Sequence, residues 1–194
     1  IIVLCLVTIK VSAIEKVILF GDSLMAGYGL PKEQHLSVVL QNSLEVEGHN
    51  IEIINGSVSG STSSGGLNIA EWTLSQSNID LMILCLGAND MLRGINPKET
   101  KNNLEEIIQI AKNKNIKIII VGMIAPTSYG SEYKESFDKI FFNLSKEYNL
   151  QLIPFLLEGV AQKPEFNLSD GMHPNDQGTI IIGNTLKKAI LKNL

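Results

Sequence analysis

The chain has only two cysteines, one tryptophan and three histidines in 194 residues. Two Cys exclude a disulfide scaffold. There is no CxxC and no HExxH, and His35, His49 and His173 have no metal-ligand spacing, so no metal or cofactor is expected. Arginine is scarcer still. Arg93 is the single Arg among 16 Lys and Arg, set against 20 Asp and Glu for a net charge of −4. Bidentate phosphate recognition is thereby almost closed off, and nucleic acid is excluded as an expected partner. No apolar run reaches the roughly 20 residues that a membrane span needs. What is present suits a folded domain: 44% hydrophobic and 19% charged residues, in a length that one core can serve.

The first nine residues, IIVLCLVTI, are almost wholly apolar, and Lys10-Val11-Ser12-Ala13 follows. An apolar stretch ending in small residues reads as the core and cleavage site of a secretory signal peptide, residues 1–13, with its basic start missing. Residues 14–194 then form one domain, exported to the periplasm or secreted, with no stable membrane span. The competing reading of 1–13 is an edge strand. Cys85 lies inside an apolar run and reads as a buried small hydrophobe.

Short apolar runs alternate with longer amphipathic stretches. Strands are expected at 16–20, 51–55, 81–86, 116–121 and 151–153. Helices are expected near 33–47 and 66–77, from Pro97 onward, across 137–148, and from near Pro174 to the end. Continuous apolar strands suit a sheet covered on both faces. Strand–helix alternation five times over predicts an α/β fold: a doubly wound, five-stranded parallel sheet with helices on both faces. The strand order expected for it is the flavodoxin-like 2-1-3-4-5. In such sheets ligands bind at the carboxyl ends of the strands.

Those strand-end loops carry the chemistry. Ser23 follows the first strand in Gly21-Asp22-Ser23-Leu24. A lone Ser there is ordinarily a helix cap, and a nucleophilic Ser needs a base that is itself oriented by an acceptor. His173 is the one His in a strand-end loop, and Asp170 precedes it by three residues. Capping of the last helix is the competing role for both. Developing oxyanion charge needs donors, which Gly60 offers as a backbone N–H and Asn89 as a side-chain amide. Each could equally serve an ordinary turn. Asp22 reads as a brace for the turn, and His35 and His49 as surface residues flanking one helix. Residues 56–60 are not a G-x-S-x-G nucleophile elbow, and 21–27 lacks the Lys-Ser/Thr pair of a P-loop.

Gly-Asp-Ser-Leu, Gly60, Gly87-x-Asn89-Asp90 and Asp170-x-x-His173, in that order, resemble the four blocks of the SGNH (GDSL) hydrolases. The likeness spans about residues 16–190. Asn89-Asp90-Met91-Leu92-Arg93-Gly94, Tyr129-Gly130 and Asp170-Gly171-Met172-His173-Pro174-Asn175 are similar to the bacterial periplasmic thioesterase, lysophospholipase and arylesterase branch. The resemblance implies Ser23 as nucleophile, His173 as base and Asp170 as its orienter. It implies an oxyanion hole from the Ser23 and Gly60 amides and the Asn89 side chain, and a mobile substrate loop at 91–96. Ile124 and Ala125 depart from the branch in a loop that would wall the acyl groove.

The function expected is a cofactor-free serine esterase acting on carboxylic esters or thioesters of acyl chains through an acyl-enzyme, working as a monomer on a small-molecule or lipid ester. Leu24, Met91, Leu92, Ile95, Ile124 and Tyr129 are the expected substrate contacts. A carbohydrate O-acetylesterase is the second reading, disfavoured by a single Trp and few aromatics in the loops. A non-catalytic flavodoxin-like binding module is the third. Export is testable: expressed behind a complete leader in a bacterium, the chain is expected to mature with Ile14 first. N-terminal sequencing of periplasmic protein checks this, and an uncleaved cytoplasmic product contradicts it.

Overall fold

The computed structural model describes residues 15–76 and 78–194. The leader expected at 1–13 lies outside the described residues. In chain order the elements are β1 (Glu15–Gly21), α1 (Ser23–Ala26), α2 (Leu36–Val46), β2 (Ile51–Asn55), α3 (Ser63–Thr73), β3 (Leu81–Cys85), α4 (Ala88–Leu92), α5 (Pro97–Asn113), β4 (Lys117–Val121), α6 (Ser131–Tyr148), β5 (Gln151–Ile153) and α7 (Asp176–Ile190). The five strands form one sheet in the order β2-β1-β3-β4-β5, every pair parallel. This is the doubly wound architecture expected from the alternation of apolar runs.

The buried strands explain the order. Val17, Ile18, Leu19 and Phe20 of β1 and Leu81 through Cys85 of β3 are at most 1% exposed. Strands so apolar on both sides must lie at the centre with helices over each face. Packing pairs α2 with α7 on the one hand, and α3 with α5 and α5 with α6 on the other. The helices turn apolar stripes inward, as Leu104, Ile107, Ile108 and Ala111 of α5 and Phe137, Ile140, Phe141 and Leu144 of α6 do. Cys85 is buried as expected, and burial pushes its thiol pKa up, which keeps it protonated.

Several boundaries differ from the sequence reading for local reasons. The stretch 33–47 divides into a 3-10 turn, Lys32–Gln34, and α2, because His35 takes an extended backbone and caps the helix. The helix expected near 66–77 already starts at Ser63, since the Thr62 side chain caps it by accepting from the Gly65 N–H. That helix closes at Thr73; Ser77, its expected end, lies outside the described residues. The last helix starts at Asp176, because Pro174 is held in a bridge with Asn167 and Asn175 supplies the cap. His35 is not a simple surface residue: it is half-buried over Gly27, with Nε2 3.1 Å from the Leu30 carbonyl.

Because the central strand carries the core, Leu84→Ala is expected to cost about 2–5 kcal/mol of unfolding free energy. Val46→Ala, at a position 88% exposed, is expected to stay within about 0.5 kcal/mol of wild type. Urea denaturation of the two variants checks the contrast.

Candidate active site

β1 ends at Gly21, directly beside Cys85 of β3. A Cβ at Gly21 would lie 2.6 Å from the Cys85 carbonyl oxygen, so only glycine permits this approach. The chain then turns sharply. Asp22 caps α1 by accepting from the Leu24 N–H at 3.1 Å, and Ser23 becomes the first helical residue at the carboxyl edge of the sheet. Ser57 Oγ donates to the Leu19 carbonyl at 2.9 Å and the Val58 N–H to the Gly21 carbonyl at 3.0 Å, which stitches the loop after β2 to the end of β1.

The loop carrying Asp170 and His173 comes from the far end of the chain. The Leu168 N–H donates to the His173 carbonyl at 2.8 Å, and the buried Asn167 amide donates to the Val160 and Lys163 carbonyls. Asp170 Oδ1 accepts the Met172 and His173 N–H groups at 2.9 and 3.0 Å, while Oδ2 lies 2.7 Å from His173 Nδ1. His173 Nε2 lies 2.9 Å from Ser23 Oγ. The Asp170 carboxylate only accepts, so the proton sits on Nδ1 and Nε2 is left to accept from the Ser23 hydroxyl. The competing role as a cap for α7 falls away, since Asn175 fills it. The His173 N–H, with the Met172 N–H and the imidazole, lowers the Asp170 carboxyl to about 2 against its partial desolvation.

Two of the expected oxyanion donors, Asn89 and Gly60, are tied into this frame. Asn89, at the start of α4, donates through Nδ2 to Asp22 Oδ2 at 3.2 Å. Gly60 adopts φ +78°, open to glycine and strained for other residues, and a Cβ there would meet nothing within 4 Å. Its carbonyl accepts from Arg93 Nη2 at 2.9 Å. Behind them Asp90, fully buried, accepts from the Ser63 N–H at 2.7 Å, from the Ser63 hydroxyl and from Thr100 Oγ1 at 3.2 Å. That carboxylate joins the start of α3 to α4 and α5.

The expected substrate contacts divide. Leu92 and Ile124 are 53% and 44% exposed, while Leu24, Ile95 and Tyr129 are half-buried. Met91 is a correction: at 7% exposed it belongs to the core, because residues 91 and 92 are still in α4 and Met91 lies on its buried side. A groove of about 740 Å³ runs between residues 94–98 and 129–136, with Tyr129 and Tyr133 in its wall. Tyr133 Oη donates to the Ile95 carbonyl at 3.0 Å and begins an aromatic ladder through Phe137 to Phe141.

Sequence reasoning missed Tyr28, Tyr133 and the contact of Arg93. Tyr28 leans over the His173 ring, with centroids 4.4 Å apart and planes tilted by 37°. Its place in the Ser23 loop was the available signal. Arg93 is the lone Arg, adjacent to the Asn-Asp block, and that rarity was the signal there.

A Ser–His–Asp triad at the carboxyl edge of a five-stranded parallel sheet in the order 2-1-3-4-5, without a G-x-S-x-G elbow, is the arrangement of a serine hydrolase of the SGNH class. The chain belongs to the GDSL-like lipase/acylhydrolase family, whose model matches residues 19–179. It is 36% identical to an arylesterase of Vibrio mimicus over 182 residues, covering 94% of this chain and 91% of the relative. It is 32% identical over 187 residues to thioesterase 1/protease 1/lysophospholipase L1 of Escherichia coli strain K12, covering 96% and 88%. Among solved structures, the psychrotrophic esterase EstA from Pseudoalteromonas sp., inhibited by monoethylphosphonate, superposes with a TM-score of 0.87 at 30% identity, covering 92% of this chain and 97% of that one.

A carboxyl whose pKa is lowered by folding stabilises the fold when ionised. The Asp170 contribution is therefore whole above about pH 4 and is lost as the pH falls toward about 2. Melts of wild type and Asp170→Asn across that range are expected to converge at the acid end. A stability difference that stays constant from pH 6 to pH 2 contradicts the assignment.

Proposed function

We propose that this protein hydrolyses carboxylic esters or thioesters of apolar acyl chains through an acyl-enzyme formed on Ser23. The observation that carries the reading is the relay from Ser23 Oγ through His173 to Asp170, at 2.9 and 2.7 Å, on the open edge of the sheet. The family match and the esterase and thioesterase relatives support the same chemistry.

The tasks divide among these residues as follows from their chemistry. Ser23 Oγ bonds to the carbonyl carbon while His173 Nε2 takes its proton. The ionised Asp170 stabilises the imidazolium that results. The carbonyl oxygen becomes an oxyanion held by the Ser23 and Gly60 N–H groups and the Asn89 amide. As the intermediate collapses, the C–O or C–S bond breaks and the imidazolium protonates the leaving alcohol or thiol. A water, deprotonated by His173, then releases the acid and restores Ser23. No step calls on a metal or cofactor.

Leu24, Leu92, Ile95, Ile124 and Tyr129 supply apolar surface beside this edge, which supports an acyl or aryl group over a sugar. The reading includes export through residues 1–13 and action as a monomer. Among the described residues no helix is long and apolar enough to cross a membrane.

Ser23→Ala is expected to remove turnover of p-nitrophenyl esters and covalent labelling by a fluorophosphonate, with native-like far-UV circular dichroism. Asn89→Ala is expected to lower kcat by roughly 10²–10³ with little change in KM. A folded Asn89→Ala within threefold of wild type removes Asn89 from the mechanism. Unlabelled wild type would favour a binding module, and preference for acetylated carbohydrate over acyl-CoA or lysophospholipid would favour an O-acetylesterase.

A further inference from the structure

The geometry points to Asp22 as a positioning residue for the oxyanion hole, one carboxylate that holds both the nucleophile turn and the amide of Asn89 in their working orientation. The inference rests on the proposed role of Asn89 and adds the group that aims it. Asp22 is 1% exposed, yet among the described residues it forms no ion pair. Its two oxygens do different work. Oδ1 accepts from the Leu24 N–H at 3.1 Å and so fixes the first turn of α1, where Ser23 sits. Oδ2 accepts from Asn89 Nδ2 at 3.2 Å, across a sequence distance of 67 residues.

The second contact decides which way the Asn89 amide faces. A primary amide can present either its oxygen or its NH2 to a neighbour. An ionised carboxylate has no proton to give, so only the NH2 can face it. One N–H of Asn89 is then spent on Asp22 and the other is left for a developing oxyanion. A neutral Asn at position 22 would reverse this. Its oxygen could still cap Leu24, because Asn caps helices as well as Asp does. Its own NH2 would then meet Asn89, which must turn to offer oxygen instead. The N–H meant for substrate would swing away while the turn itself stayed capped.

Electrostatics agree with a functional rather than a stabilising reason for the charge. Burial raises the Asp22 carboxyl to about 6, opposed by the Leu24 N–H, the Asn89 amide and the nearby His173. The buried Asp90 adds like-charge repulsion, and Cys85, which also faces it, stays a neutral thiol. A carboxyl raised by folding costs stability progressively as the pH rises from about 4 through about 6. Ionised Asp22 therefore destabilises the fold at neutral pH. Its charge is explained by what it does to Asn89.

The test is a double-mutant cycle on Asp22→Asn and Asn89→Ala, read as kcat and KM on a p-nitrophenyl ester and as melts at pH 5 and pH 8. Asp22→Asn is expected to melt at or above wild type at pH 8, with a smaller advantage at pH 5. Its kcat is expected to fall about 10²-fold with KM within threefold. In the Asn89→Ala background the same change is expected to cost less than threefold, because the amide it would misdirect is already gone. Asp22→Ser keeps a capping oxygen but lacks the reach to Asn89, and the same losses are expected of it, so misfolding of one variant leaves the other to decide. Asp22→Asn within threefold of wild type overturns the inference. So does an equal loss in both backgrounds, which would assign Asp22 to the Ser23 turn alone. A fully active Asn89→Ala would instead overturn the role of Asn89, and the two failures are distinguishable.

Discussion

The pairing of β1 between β2 and β3 is the constraint on which the site depends. All strands run parallel, so all their carboxyl ends emerge on one edge. The loop bearing Ser23 therefore lies between the loop bearing Gly60 and the turn bearing Asn89. Burial of the strands on both faces makes this register hard to slip, because shifting the pairing of β1 would disturb a core in which Val17 through Phe20 are sealed from solvent. A hydrolytic site needs positional tolerance well under an ångström. Here that tolerance is inherited from the part of the molecule with the least freedom to move.

Onto this rigid edge the chain adds carboxylates with different environments. Asp170, partly exposed and bonded by two backbone N–H groups, remains ionised far into acid and can stabilise an imidazolium. Asp22 is buried and pushed the other way, toward about 6. Asp90 is sealed beneath them and satisfied by neutral donors, bracing helices against each other. Three residues of similar chemistry thus serve base orientation, amide orientation and scaffold. What separates them is solvent access and the count of N–H donors each receives.

Much of this was legible in the residues themselves. The apolar runs at 51–55 and 151–153 coincide with β2 and β5, and the parallel, doubly covered sheet followed from alternation. Ser23, Asp170 and His173 stood out because a scarce His and an Asp three residues earlier fell in one loop. The misplaced boundaries have a common physical source. Thr62, His35 and Asn175 begin their helices through backbone geometry or side-chain caps that hydrophobic periodicity does not register. Met91 was misread because α4, at five residues, is too short for periodicity to tell which side faces inward.

Local chemistry along the chain was enough to determine the fold class, the reactive residue types and the loops that hold them. Propensity, apolar spacing and turn residues act over a few positions, and they are written in the sequence directly. Tertiary structure alone decided the contacts across long stretches of chain. His173 meets Ser23 over 150 positions and Asn89 meets Asp22 over 67. Arg93 reaches the Gly60 carbonyl, and Tyr28 leans on the imidazole. Such contacts form only when the sheet has set the distances between its loops, so their geometry belongs to the folded molecule and to no segment of it.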